Sequence, residues 1–361
     1  MSVFHGRDVQ WSSRELKIET AGFSDEPLDS SCSAGNRFQI VIRDLGTVEL
    51  NRLREALEPV RTYGLPNYFD EQRFGNLRHG QGWIALDLLR GNVEAGLKRM
   101  IASSSVHDNA HNRAFKEQLW RRWGDWRACR ELAGRYGKHH SVFEHLRREP
   151  GDFAGAFGRV SGRERLIHLY AFQSHLWNRA VARFLDDRLP EEERFGLSSL
   201  EGKLVFPRAA MPVQEEWGGR FPLPGNHFEG VDNPEARWLL SHVLERHGLH
   251  AEDFAIEGIG GFAFKGEDRP LAVVPEEMRA RPAEPDVLFP GRKSVTLEFS
   301  LPRGAYATLV VRRMVGPTQV DDATRYSAGT RRAGGRGAGR FGSQRSRSGP
   351  RRRGARRRGR S

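Results

Sequence analysis

Asn67, Tyr68, Phe69, Asp70, Glu71, Gln72, Arg73, Phe74 and Gly75 put three aromatic rings, two amides, two carboxylates and a guanidinium into nine consecutive positions. Flat π faces beside hydrogen-bonding side chains are what a pocket for a planar, polar ring requires. The alternative is a loop whose aromatics belong to the core. A second run, Leu301-Pro302-Arg303-Gly304-Ala305-Tyr306-Ala307-Thr308, places a phenol after a Pro/Gly turn, and Arg312 and Arg313 follow it. Metal chemistry finds no support. His107, His111, His139 and His140 lack an acidic partner at zinc spacing, and Cys32 and Cys129 are too few for a thiolate site. Gly258-Ile259-Gly260-Gly261 lacks the strand-to-helix context of a nucleotide loop and reads as a turn.

Regular elements must hold the two aromatic runs. Phe38–Arg43 reads as a strand. A helix follows from about Val48, with Leu50, Leu53, Leu57 and Val60 on one face, and Gly64 and Pro66 stop it. Residues 83–185 carry a helical pattern. Its best helix spans 163–185, with Leu166, Leu169, Tyr170, Trp177, Ala180, Val181 and Phe184 as the apolar stripe. Trp120, Trp123 and Trp126, three apart beside arginines, read as a core stripe in preference to a base-stacking platform. Residues 186–292 are richer in Pro and Gly, and Ser294–Ser300 alternates as a half-buried strand.

The 361 residues suffice for two cores, and 38% hydrophobic against 29% charged residues fits a soluble chain. No apolar run approaches a membrane span, and the first residues lack a signal-peptide layout, so a reducing cytoplasm is the expected compartment. The net charge of +12 is localised. Residues 327–361 hold 13 arginines and no acid; 58 less 13 leaves 45 basic against 46 acidic residues elsewhere. Such an Arg/Gly/Ser tail cannot bury enough apolar surface to order itself. It is suited to RNA phosphates, with steep salt dependence, or to a plain solubilising role.

The stretch from Gly64 through Gly75 closely resembles the hallmark motif of the TruD family of tRNA pseudouridine synthases, and Leu301–Thr308 with its following arginine resembles a second motif of that family. Tyr170–Asn178 is similar to a helix of the family's insertion domain, and Phe221-Pro222-Leu223-Pro224-Gly225 to one of its loops. The resemblance implies an α+β fold: a mixed, largely antiparallel sheet with flanking helices, a mainly helical insertion and the disordered basic tail. The implied boundaries are 1–92 and 274–326 for the catalytic domain, 93–273 for the insertion and 327–361 for the tail. It also implies isomerisation of a tRNA uridine, at position 13, by a monomer without cofactor or metal.

By resemblance Asn67, Phe69 and Tyr306 contact the substrate base, and Gln72, Arg73 and Arg312 brace the pocket or hold phosphate. Asp70 stands where many relatives have glycine and receives no role. The family's nucleophilic aspartate lies in a Gly-x-Lys-Asp segment upstream of the strand entry, here Gly35-Asn36-Arg37-Phe38. No such segment occurs in the 34 residues before it; Gly6-Arg7-Asp8 comes nearest, and Val9-Gln10-Trp11 does not continue the pattern. The catalytic residue is therefore unassigned. The expectation is a member lacking its first segment, with an open sheet edge and exposed apolar faces. A non-catalytic RNA-binding or tRNA-folding protein that keeps the pocket is the rival reading, and a general nucleic-acid binder driven by the tail is a third.

Overall fold

In the computed structural model, which describes residues 8–26, 32–74, 82–104, 108–210, 219–226, 231–256, 258–260 and 263–317, the chain alternates between small antiparallel sheets and one large helical block. β1 (Gln10–Ser12) and β2 (Lys17–Glu19) form a hairpin. β3 (Gly35–Leu45) leads into α1 (Thr47–Tyr63) and the two-residue β4 (Leu65–Pro66). The helical block comprises α2 (Ile84–Leu89), α3 (Val93–Ala102), α4 (Ala110–Arg122), α5 (Trp126–Tyr136), α6 (His140–Arg148), α7 (Phe153–Gly158) and α8 (Gly162–Arg188). β5 (Arg194–Ser199), β6 (Gly202–Pro207) and β7 (Arg220–Leu223) precede α9 (Pro234–Glu245). β8 (Glu267–Pro270), β9 (Ala272–Val273), β10 (Glu276–Ala280), β11 (Glu284–Pro285), β12 (Lys293–Pro302) and α10 (Ala307–Val315) complete it.

The alternation expected near residue 294 becomes β12, whose Val295, Leu297, Phe299 and Leu301 are buried. β12 is flanked by β3 on one side and by β10 and β11 on the other, all antiparallel. The register sets Phe38 opposite Phe299, Ile40 opposite Leu297 and Ile42 opposite Val295, so like faces meet. Helices α1 and α10 pack together beside this sheet. Among the described residues β3 pairs only with β12, and Val41 on it is exposed.

Helix α1 starts with the Glu49 carboxylate accepting from the Gly46 N–H (2.9 Å) and ends at Gly64. Gly64 has φ +74°, and a Cβ there would sit 2.3 Å from the Val273 carbonyl oxygen. Only glycine lets the chain turn there and pair at once as β4 with β9. The 67–75 run follows directly.

Helix α8 runs slightly longer than expected, from the Ser161 cap, whose hydroxyl accepts from the Glu164 N–H (3.3 Å), to Arg188. Its middle is buried on every side, because α2, α9, β6 and β7 all pack on it. Leu169, Phe172, Leu176, Trp177 and Phe184 lie there at 0–1% exposure, each worth about 1.5–3 kcal/mol of burial. The tryptophan stripe differs from expectation. The chain breaks between α4 and α5, so the three rings do not share one helix. Trp123 and Trp126 meet edge to face at 5.3 Å, but Trp120 is half exposed under the Lys98 ammonium. The arginine-rich tail and Gly75 lie outside the described residues. Among the described residues no helix is long and apolar enough to cross a membrane.

Candidate active site

The 67–74 segment is pinned between α8 and the strands that follow the helical block. Tyr68 is fully buried and donates its hydroxyl to the Val205 carbonyl of β6 (2.8 Å). Phe69 is held by its backbone: its N–H donates to Asn178 Oδ1 (2.9 Å) and its carbonyl accepts from Asn178 Nδ2 (2.8 Å). Asn178 also donates to Glu201, and Glu201 accepts from His175 Nδ1 (3.0 Å). The His175 and His247 Nε2 atoms stand 2.9 Å apart and share one proton. A buried polar chain therefore runs from α9's end through α8 to the backbone of Phe69.

The second run arrives from β12 and α10. Thr308 donates its hydroxyl to Asp70 Oδ2 (2.5 Å), and Arg312 lies 3.8 Å from Asp70 Oδ1 while donating to the Ser198 carbonyl. Asp70, given no role from the sequence, thus ties the two runs together. Arg269 of β8 makes a further tie. Its Nε donates to the Asn67 carbonyl (2.8 Å), and its Nη2 donates to Asn67 Oδ1 and to the Gly304 carbonyl (both 2.9 Å). Its guanidinium carbon lies 3.9 Å from the centre of the Phe69 ring. Burial pushes Arg269 down to about 10, so it stays charged at neutral pH.

Between these ties opens a cavity of about 410 Å³, lined by Phe69, Arg73, Tyr170, Arg269 and Tyr306 among others. The size falls in the range of ligand pockets. The Phe69 and Tyr306 rings stand 6.4 Å apart, edge to face. Arg73 lies 5.8 Å from the Phe69 ring and 5.5 Å from that of Tyr170, and its Nε donates to Ser174 (3.4 Å). Gln173 closes one wall by donating to the Pro224 and Lys265 carbonyls (2.8 Å each). Lys265, Glu267 and Asp268 add one ammonium and two carboxylates to the lining. Burial raises the Tyr306 phenol, and the neighbouring arginines oppose that, so it stays a neutral hydrogen-bond donor.

Phe69, Arg73 and Tyr306 are therefore brought together. Asn67 sits behind them. It does not line the cavity, and its amide accepts from Arg269 and, through Nδ2, donates to the Pro270 carbonyl (3.1 Å). Gln72 is exposed on a short 3-10 turn outside the lining, and Arg312 braces Asp70 from outside it. Asp8 is exposed ahead of β1 and does not line the cavity. Sequence reasoning missed Arg269. Glu267-Asp268-Arg269-Pro270 has no periodicity or motif to single it out, and only the pairing of β7 with β8 brings it here.

An antiparallel sheet joined to a helical block is also the fold of a solved structure. That structure, the putative tRNA pseudouridine synthase D from Methanosarcina mazei, aligns with a TM-score of 0.59 at 22% identity, over 80% of this chain and 70% of that one. The chain belongs to the tRNA pseudouridine synthase D (TruD) family, whose sequence model matches residues 3–207 and 218–314. It is 28% identical to the probable tRNA pseudouridine synthase D 1 of Methanococcus maripaludis, over 83% of this chain and 77% of that protein. It is 25% identical to tRNA pseudouridine synthase D of Leptospira interrogans, over 83% and 74%. By family it is a tRNA pseudouridine synthase, an isomerase.

Proposed function

We propose that the cavity receives a uracil extruded from tRNA, at position 13, and that the protein exchanges its N1 glycosidic bond for one through C5. The observation that carries this is the meeting of Phe69 and Tyr306 over one cavity whose arginines are fixed by the surrounding fold. Extrusion costs a few kcal/mol, which stacking and edge hydrogen bonds repay. Asn67 acts as a positioning residue, holding Arg269 against Phe69. The catalytic parts are residues 1–92 and 274–326, and residues 93–273 form an insertion that flanks the RNA.

Isomerisation breaks the C1′–N1 bond, rotates the ring, joins C5 to C1′, and moves the C5 proton off as N1 gains one. A carboxylate nucleophile serves this reaction in the family pattern. Among the described residues the carboxylates lining the cavity are Glu267 and Asp268, neither within a Gly-x-Lys-Asp segment. That observation favours a second reading, in which this chain binds tRNA without converting it. Incubation with a tRNA carrying uridine 13, read by pseudouridine-specific chemistry, separates the two. Conversion that is lost when position 13 is cytidine supports the first; tight binding with no conversion supports the second.

Tyr306→Ala should weaken single-turnover conversion, or tRNA binding under the second reading, by roughly 5- to 150-fold, since one stacked ring is worth about 1–3 kcal/mol. Tyr306→Phe keeps the ring and should retain most of the function. Equal losses in the two variants would mean that the hydroxyl carries the effect.

Deleting residues 327–361 removes 13 arginines. Plotted as log affinity against log salt, tRNA binding should show a shallower slope, with the largest loss at low salt. Occupancy of the uracil pocket at saturating tRNA should be unchanged. Loss of all binding would instead favour a general binder driven by the tail.

A further inference from the structure

Beside the C-terminal end of α10 lies a second hollow, of about 210 Å³, which shares no lining residue with the uracil cavity and which no part of the reaction above uses. Arg52, Arg208 and Arg313 line it, with Phe195, Met314 and, among the described residues, a single carboxylate, Glu55. Arg313 is 4% exposed, yet among the described residues it has no acidic partner; its Nη2 donates to the Arg208 carbonyl (2.7 Å) and its Nε meets no acceptor. The Arg313 and Arg208 guanidinium carbons lie 5.2 and 5.6 Å from the centre of the Phe195 ring. Two like charges thus converge on one ring, and Glu55 is exposed rather than set between them.

A buried cation without a counter-ion is costly, and a fold retains one readily only where something supplies the opposite charge. Burial first, and then the neighbouring Arg208, push Arg313 down to about 10, which still leaves it charged at neutral pH. The hollow is smaller than pockets that enclose drug-sized ligands, which favours a compact anion. Guanidinium groups present planar forks that match the oxygens of a tetrahedral phosphate.

We propose that Arg313, Arg208 and Arg52 form a phosphate-binding site, distinct from the uracil cavity and independent of how that cavity is used. The same chemistry would accept a backbone phosphodiester of bound RNA or a free phosphate. Arg52 also donates to the Pro317 carbonyl, so its side chain is held at the rim of the hollow.

The test is calorimetric titration of the full chain with inorganic phosphate at constant ionic strength, compared with Arg208→Ala and Arg313→Met. Arg208→Ala leaves intact the backbone carbonyl that Arg313 uses, so it guards against a misfolded Arg313 variant. The tail arginines are the same in all three proteins. One phosphate site is expected, weakened about tenfold or more in Arg208→Ala and lost in Arg313→Met. Repeating the titration with saturating tRNA distinguishes the sources. Exclusion of phosphate assigns the site to the RNA backbone, and undiminished binding assigns it to a free anion. Absence of phosphate binding, or equal binding in all three proteins, overturns the proposal. Binding that appears only after Asp321 and Asp322, or Glu215 and Glu216, are neutralised also overturns it, because the chain's own acids would then be the occupants.

Discussion

Asn178→Ala should destabilise the protein by about 3–5 kcal/mol. Its amide is wholly buried and meets the Phe69 N–H, the Phe69 carbonyl and Glu201. Truncation strands the Phe69 N–H and carbonyl and removes one donor from Glu201, which keeps His175, and each stranded group costs about 1–3 kcal/mol. Urea unfolding followed by circular dichroism measures the loss. Function should fall further than stability explains, since Phe69 is freed to move in the cavity. Under conditions where the variant remains folded, Phe69-dependent tRNA binding should still be weakened. Asn178→Asp is the sharper variant. It keeps the acceptor for the Phe69 N–H but turns a carboxylate toward both Glu201 and the Phe69 carbonyl. Its deficit should therefore shrink as the pH is lowered and the new acid is neutralised. A loss below about 1 kcal/mol in the alanine variant would show that the Phe69 backbone is held by other means.

Acid should destabilise the fold between about pH 6.5 and pH 4 through its buried histidines. His168 is pushed down to about 4 by burial, and its Nδ1 meets no partner. His247 is pushed down to about 4 by burial first, and then by positive charge at His175, Arg90 and Arg246. The unfolded chain protonates these rings near 6.5, whereas the folded protein resists until about 4. Within that window the unfolded state holds more protons, so stability falls as the pH drops and levels off below it. Each ring accounts for up to about 3 kcal/mol. Glu144, drawn to about 2 foremost by Arg147, starts to lose its contribution only below the ordinary carboxylate range, so the upper part of the window belongs to the histidines. Urea midpoints at pH 7 and pH 5 give the measurement, and His168→Leu should flatten the dependence. An unchanged midpoint in the native protein would falsify the assignment.

What was legible in the sequence were features written in local pattern. Alternation gave β12 its buried face, helical spacing and a glycine stop bounded α1, and the two aromatic runs announced themselves by composition. Phe69, Arg73 and Tyr306 could be picked out because each stands in such a run. Arg269 could not, because its role comes from the pairing of β7 with β8. Asn67 was read from its place in the same run and the resemblance that run carries; its engagement by that same arginine was not legible there. By spacing, the middle of α8 was legible as one apolar stripe, and Tyr170–Asn178 stood out beyond that by resemblance. Its Gln173, His175 and Asn178 are buried because strands and helices from elsewhere close over the polar side, which helical periodicity does not encode. The tryptophans misled for a related reason: spacing of three ignores a break between two helices.

The Arg269 clasp also sets an order of assembly. It joins Asn67, 202 positions earlier in the chain, to Gly304, 35 positions later. During synthesis the helical block can collapse on its own neighbours, whereas the cavity beside Phe69 stays incomplete until β12 and the turn after it have left the ribosome. A chain halted before residue 304 would lack Gly304 and Tyr306 from the lining and would leave Arg269 without one of its acceptors. A complete cavity is thus among the last features that the nascent protein acquires.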